Sequence, residues 1–156
     1  MKNQGKVEAI LWNIAMPGFS QLLSGQLIKG LFFIVSEMLI NMKSNFNVVI
    51  MSSFLWEIDR AISMANYQWL MFYPCFYMFS LWDAYRYSMP DMEKWSFLPF
   101  VCSAFFITVG LMLSPRLKIF GILLGPVFLP ILFLIPGLLI GFILRRLIIK
   151  SSEKRT

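Results

Sequence analysis

Two stretches of the chain, residues 96–114 ("SFLPFVCSAFFITVGLMLS") and 119–144 ("IFGILLGPVFLPILFLIPGLLIGFIL"), run without a single charged residue. Each meets the length of about 20 apolar residues that a helix needs to cross the hydrocarbon core of a bilayer. Residues 61–82 ("AISMANYQWLMFYPCFYMFSLW") form a third such window, with aromatic residues near both ends, where membrane interfaces favour them. Composition decides the solvent. Hydrophobic residues make up 58% of the chain and charged residues 14%, against roughly 45–50% and about 25% in a soluble domain. That leaves too little polar surface for water. The fold class expected is an all-α integral membrane protein with four to five transmembrane helices.

The remaining segments punctuate this plan. Apolar Ile10, Leu11, Ile14 and Ala15 recur at helical spacing before Pro17, which removes a backbone donor and ends or bends a helix. Lys2 and Lys6 precede this segment and no small-x-small cleavage site follows it, so the segment is expected to stay in the fold. A single polytopic domain is expected over 1–156. It divides into an N-terminal hairpin (6–42), an interfacial region (43–60), transmembrane helices (61–87, 96–114 and 119–147) and a basic cytoplasmic tail (148–156). Residues 6–28 either span or re-enter.

The net charge of +6 does not point to nucleic acid, because the basic residues punctuate apolar runs instead of forming a stripe. They do set an orientation. With the tail cytoplasmic, Lys2, Lys6, Lys29, Arg86, Lys94, Arg145, Arg146, Lys150, Lys154 and Arg155 fall inside, and Lys43, Arg60, Arg116 and Lys118 outside. This matches the excess of Lys and Arg in cytoplasmic loops. The location expected is a cell membrane, with lipids as the immediate partners.

Chemistry has little to stand on. The chain has no histidine, which removes the commonest general base and metal ligand. Cys75 and Cys102 are isolated, and no P-loop, HExxH or GxSxG occurs. No enzyme activity and no cofactor are expected. Glu37 is the one acid well inside an apolar helix, and a carboxylate at membrane depth is costly. It reads either as an ion or proton contact or as a residue at the outer end of a short, tilted segment beside Asn41 and Lys43. Asp83 and Arg86 ("WDAYR") share a helical face and read as an interfacial anchor pair, or as a contact for the polar side chains of residues 17–30. Two GxxxG patterns, Gly121–Gly125 and Gly137–Gly141, suit close helix packing, either within the bundle or with a partner. Pro126, Pro130 and Pro136 are expected to kink or break the same segment.

Residues 17–30 ("PGFSQLLSGQLIKG") resemble the Pro-Gly-x-x-Gln-x-x-x-Gly-x-x-x-x-Gly signature of small bacterial membrane proteins related to the TM2-domain group. The stretch "WLMFYPCFYMFSLWDAYR" is similar to a later span of bacillus-type members. Ser20 stands where a second glycine is frequent, and Leu22 where an aromatic often follows the glutamine. The resemblance implies a compact helix–turn–helix hairpin built on Pro17, Gly18, Gln21, Gly25, Gln26 and Gly30, and it carries over no catalytic residue. The leading functional expectation is a non-enzymatic scaffold, regulator or accessory subunit, with a homo-oligomer or membrane partner meeting the last helix. The alternative is a small transporter or channel component using Glu37 and a Pro/Gly-broken last span.

Overall fold

The computed structural model describes residues 5–89 and 93–153, so Lys2, Lys154 and Arg155 lie outside the described residues. The architecture is all-helical apart from one small hairpin. Its order is α1 (Lys6–Ala15), α2 (Phe19–Leu23), α3 (Leu27–Ser44), α4 (Phe46–Phe54), α5 (Ile58–Met64), α6 (Tyr67–Leu70), α7 (Tyr73–Tyr87), α8 (Leu98–Leu113), β1 (Lys118–Ile119), β2 (Ile122–Leu123) and α9 (Gly125–Glu153). Among the described residues, one helix is long and apolar enough to cross a membrane: Gly125–Ser152, with a mean hydropathy of 2.7. At 1.5 Å per residue, the path from Gly125 to Arg145 covers about 30 Å, the thickness of a hydrocarbon core.

The spine of the fold is the α8–α9 pair, and small residues make it possible. A side chain at Gly137 would come within 2.7 Å of the Ser103 backbone, and one at Gly141 would run into the Pro99 backbone. On the facing helix, a side chain at Gly110 would meet the Pro130 backbone at 3.1 Å and Phe133 at 2.9 Å. The contacts keep one antiparallel register. Moving seven residues along α9, from Pro130 to Gly137, matches seven back along α8, from Gly110 to Ser103; four more reach Gly141 and Pro99. Steps of seven and four keep a seam on one helix face, and removing side chains along it lets the backbones touch.

Elsewhere the elements differ from the sequence-based expectation in ways that local chemistry explains. The single helix expected over 61–87 is three, α5, α6 and α7, separated at Ala65–Asn66 and Met71–Phe72. Pro74 sits in the first turn of α7, where its missing N–H costs nothing and its fixed φ favours initiation. The helix expected over 119–147 instead begins at Gly125 and runs to Glu153, through most of the expected tail. Residues 118–123 form a hairpin with Lys118 opposite Leu123 and Ile119 opposite Ile122. Its two turn residues, Phe120 and Gly121, have φ of 51° and 82°, the positive values of a type I′ turn. The Phe120 side chain is fully exposed at the tip. α9 then continues through Pro130 and Pro136 without interruption, so of the kink or break expected at these prolines the break is absent.

Residues 43–60, expected as an interfacial segment, form α4 and α5, which cover the start of α9 with a small core of Val49, Ala61 and Val127. Trp56 takes a left-handed conformation (φ 64°) between them, and the Glu57 N–H donates to the Ser52 carbonyl to close the turn.

The seam makes the first prediction. Gly141→Leu, which puts a branched side chain against the Pro99 backbone, should lower the midpoint of thermal unfolding in detergent and cost about 2 kcal/mol or more. Leu139→Ala, on an exposed position two residues away, should shift the midpoint far less. Equal effects would remove the seam from the account.

Candidate functional site

Polar residues of α1, α2 and the start of α3 gather along the C-terminal half of α7. Asn13 is fully buried on α1 and donates from Nδ2 to the Ser80 carbonyl at 2.6 Å, while its Oδ1 accepts from the Gly18 N–H at 2.9 Å. Gln21 on α2, also buried, donates from Nε2 to the same Ser80 carbonyl at 3.1 Å and to Asp83 at 3.2 Å. Lys29, at the start of α3, pairs with the other Asp83 oxygen at 3.0 Å. The Tyr77 hydroxyl donates to the Ile14 carbonyl at 2.9 Å. Two of these ties, Asn13 to the Gly18 N–H and Tyr77 to the Ile14 carbonyl, satisfy backbone groups freed where Pro17 ends α1, groups that an apolar surrounding cannot satisfy.

The same contacts trace the path of the N-terminal segment. Starting beside the last turns of α7, α1 runs antiparallel along that helix until Asn13 and Ile14 meet Ser80 and Tyr77. The chain then turns, and α2 returns it to Asp83, where α3 begins. Residues 6–28 therefore enter and leave at the same end of α7.

Glycine chemistry makes the reversal possible. Gly18 has φ of 106°, and a side chain there would lie 2.5 Å from the Gly30 carbonyl oxygen. A side chain at Gly30 would meet Leu22 at 2.6 Å and the Gly18 carbonyl at 2.9 Å. Gly25, with φ of 82°, ends α2: its N–H donates to the Leu22 carbonyl and that of Gln26 to the Gln21 carbonyl, the paired bonds of a Schellman turn. The Gln26 Nε2 is buried and makes no hydrogen bond among the described residues.

A second cluster lies close by, around Glu93 in the loop between α7 and α8. One carboxylate oxygen binds Lys6 of α1; the other accepts from Arg145 of α9 at 2.7 Å and from the Tyr85 hydroxyl of α7 at 3.2 Å. Arg145 also donates from Nε to the Lys94 carbonyl at 3.2 Å. One carboxylate thus ties three helices to their connecting loop. Hydrogen bonds from Lys6 and then Arg145 hold the Glu93 carboxyl down at about 2, well below its ordinary value.

The remaining candidates are dispersed. Asp83 meets the turn residues and Lys29, not Arg86 as the anchor-pair reading had it; Arg86 lies over the Trp82 ring, 5.2 Å from its centroid. Glu37, half-buried, lies far along α3 toward the opposite end, where Asn41 approaches it at 3.5 Å and Tyr73 and Tyr77 stand within electrostatic reach. Gly121 is not a packing residue. It occupies the hairpin turn with open space around it, and Gly125 meets the Ile58 side chain of α5, so the first GxxxG pattern is no helix face. The second is one, and Gly137 and Gly141 spend it on α8. Among the described residues no group of three His, Cys, Asp or Glu converges. Glu93, Lys6, Arg145 and Asn13 are the residues that sequence reasoning missed. Asn13, an amide inside an apolar helix, carried the one available signal. No family model, curated protein or solved structure matches the chain.

Two predictions follow from this geometry. Gly18→Ala should destabilise the protein by about 1–3 kcal/mol through its left-handed backbone and lost clearance, whereas Gly5→Ala, with nothing within 4 Å, should be neutral; chemical denaturation in detergent distinguishes them. For Glu93 the folded pKa is depressed, so its contribution is present above the ordinary value of 4.5 and is lost as pH falls toward about 2. Tryptophan-monitored stability should fall across that window in the wild type, with a shallower fall in Glu93→Gln.

Proposed function

We propose that the protein is a non-enzymatic, multi-pass component of a bacterial cell membrane that acts as a scaffold, regulator or accessory subunit by presenting α9 to a neighbouring helix. The observation that carries this reading is a ridge on α9. Ile131, Ile135, Leu139, Ile143 and Leu147 recur every fourth residue, and each is between 56% and 59% exposed. Ridges at four-residue spacing interlock with the grooves of another helix. The glycine face of α9 is occupied by α8, so the ridge is the surface left to meet a second copy or a partner.

The other polar observations fit the same reading. Asn13, Gln21, Lys29, Asp83, Glu93 and Arg145 are engaged in ties between segments of the chain. In this reading α3, α7, α8 and α9 cross the bilayer, and α1 and α2 form a re-entrant hairpin of the kind that the resemblance to the TM2-domain group implies. Lys6, Lys29, Arg86, Lys94 and Arg145 then lie together on the cytoplasmic side with the C-terminus, and Arg60, Arg116 and Lys118 on the other. The transport alternative rests on Glu37 alone, because α9 is continuous; we expect Glu37→Gln to leave ion flux in proteoliposomes unchanged.

Cysteine crosslinking in native membranes tests the assembly reading, with Cys75 and Cys102 replaced by alanine. Leu139→Cys and Ile143→Cys should each give an intermolecular product, and Ser103→Cys, buried against α9, should give none. Absence of product along the whole ridge would sink the proposal.

A further inference from the structure

We propose that the hollow between α7 and α9 binds a small organic ammonium ion with an apolar body, drawn by the Glu37 carboxylate and held against the rings of Tyr73 and Tyr77. The hollow has a volume of about 290 Å³. α7 contributes Tyr73, Tyr77 and Met78 to its wall, α4 contributes Phe46, and α9 contributes Pro130 and Ile131. Every residue that lines it is uncharged.

Three properties select the occupant. The first is a charge without a counter-ion. Tyr73 and Tyr77, two residues of the hollow, lie within electrostatic reach of Glu37 on α3. Asn41, a neutral amide, approaches the carboxylate at 3.5 Å, and no cation pairs with it among the described residues. The basic residues of its own helix are Lys43, six positions on and exposed, and Lys29, eight positions back and paired with Asp83. A carboxylate left uncompensated in an apolar surrounding is costly, and a cation relieves it.

The second is the aromatic wall. The Phe46 and Tyr73 rings lie 4.7 Å apart, and Tyr73 stacks on Tyr77 at 5.6 Å. The Tyr77 hydroxyl donates to the Ile14 carbonyl, which fixes its ring in place. Ring faces attract a cation, more strongly where water is excluded. A bare metal ion would need several oxygen ligands instead, and among the described residues no group of three His, Cys, Asp or Glu converges.

The third is size. The hollow stands at the lower limit of small-molecule pockets, about 300 Å³, which suits one compact organic group and excludes a partner helix. Binding here needs no passage of the ion across the protein, so it accords with the unchanged flux expected of Glu37→Gln. Ile131 is shared with the ridge on α9, and ligand binding and crosslinking read the two separately.

Isothermal titration of the full-length protein in dodecyl maltoside tests the site with benzyltrimethylammonium and with its uncharged isostere, neopentylbenzene. The wild type should bind the cation roughly tenfold more tightly, the order that a carboxylate and a ring face confer in an apolar setting. Glu37→Gln, which keeps the shape of the side chain, should bring the two affinities to near equality by weakening the cation alone. Glu37→Asp should keep a preference. Tyr73→Leu should weaken the cation more than the isostere, and Tyr73→Phe, which keeps the ring, should not. Ile131→Trp, which fills the hollow from a position 57% exposed, should weaken both probes. Lysophosphatidylcholine carries the same trimethylammonium group beside a phosphate that Glu37 repels, and it should not compete. Absence of binding by the wild type, or equal affinity for the two probes, overturns the proposal, as does a preference that survives Glu37→Gln. Competition by lysophosphatidylcholine at equal potency also overturns it, since the seat would then belong to a lipid headgroup.

Discussion

The hydrogen bond from Asn13 to the Ser80 carbonyl is the interaction on which the N-terminal half depends. In apolar surroundings a chain that reverses direction leaves backbone donors and acceptors with nowhere to turn, and each one left unmade costs about 1–3 kcal/mol. Pro17 ends α1 and forces such a reversal. Asn13 answers it from both sides of its amide, taking the Gly18 N–H and giving to Ser80. Gln21 repeats the attachment one turn later, and Lys29 extends it outward through Asp83. Because Gly18 and Gly30 nearly touch, the reversal is tight enough for all three to reach the same two turns of α7.

The α8–α9 seam solves a different problem by the same economy of space. Small residues that face one another let helix backbones approach closely, and the backbone contact itself then supplies attraction. Gly110, Ser103, Gly137 and Gly141 provide it, and Pro130 faces Gly110 across the seam. Proline is tolerated in such a helix when neighbouring groups re-satisfy the freed carbonyls. Arg145 then fixes the end of the seam to the Glu93 loop, joining the apolar and polar parts of the fold.

The legible parts of the sequence were those with local causes. The charge-free run at 96–114 is α8 within two residues, and "PGFSQLLSGQLIKG" showed its nature as a tight corner, since Pro17, Gly18 and Gly25 act on their own backbone. Hydropathy failed where apolar residues build something other than a helix. Phe120-Gly121 makes a hairpin turn within an apolar string, and two glycines four apart look the same whether they lie on a helix or flank a strand. The Glu93 cluster was out of reach for another reason. Its partners lie 87 and 52 residues away, and nothing near an exposed-looking loop glutamate marks which cations will return to it.

The N-terminal hairpin also carries a constraint in time. It is synthesised before α7, yet the atoms that satisfy it belong to residues 59 to 67 positions later. At about 5–20 residues per second, translation supplies those partners only some 3–13 s afterwards. Until Ser80 and Asp83 arrive, Asn13 and Gln21 have only water, headgroups or a chaperone to turn to. The hairpin is therefore complete only once α7 has been made, and α7 is the template on which it closes.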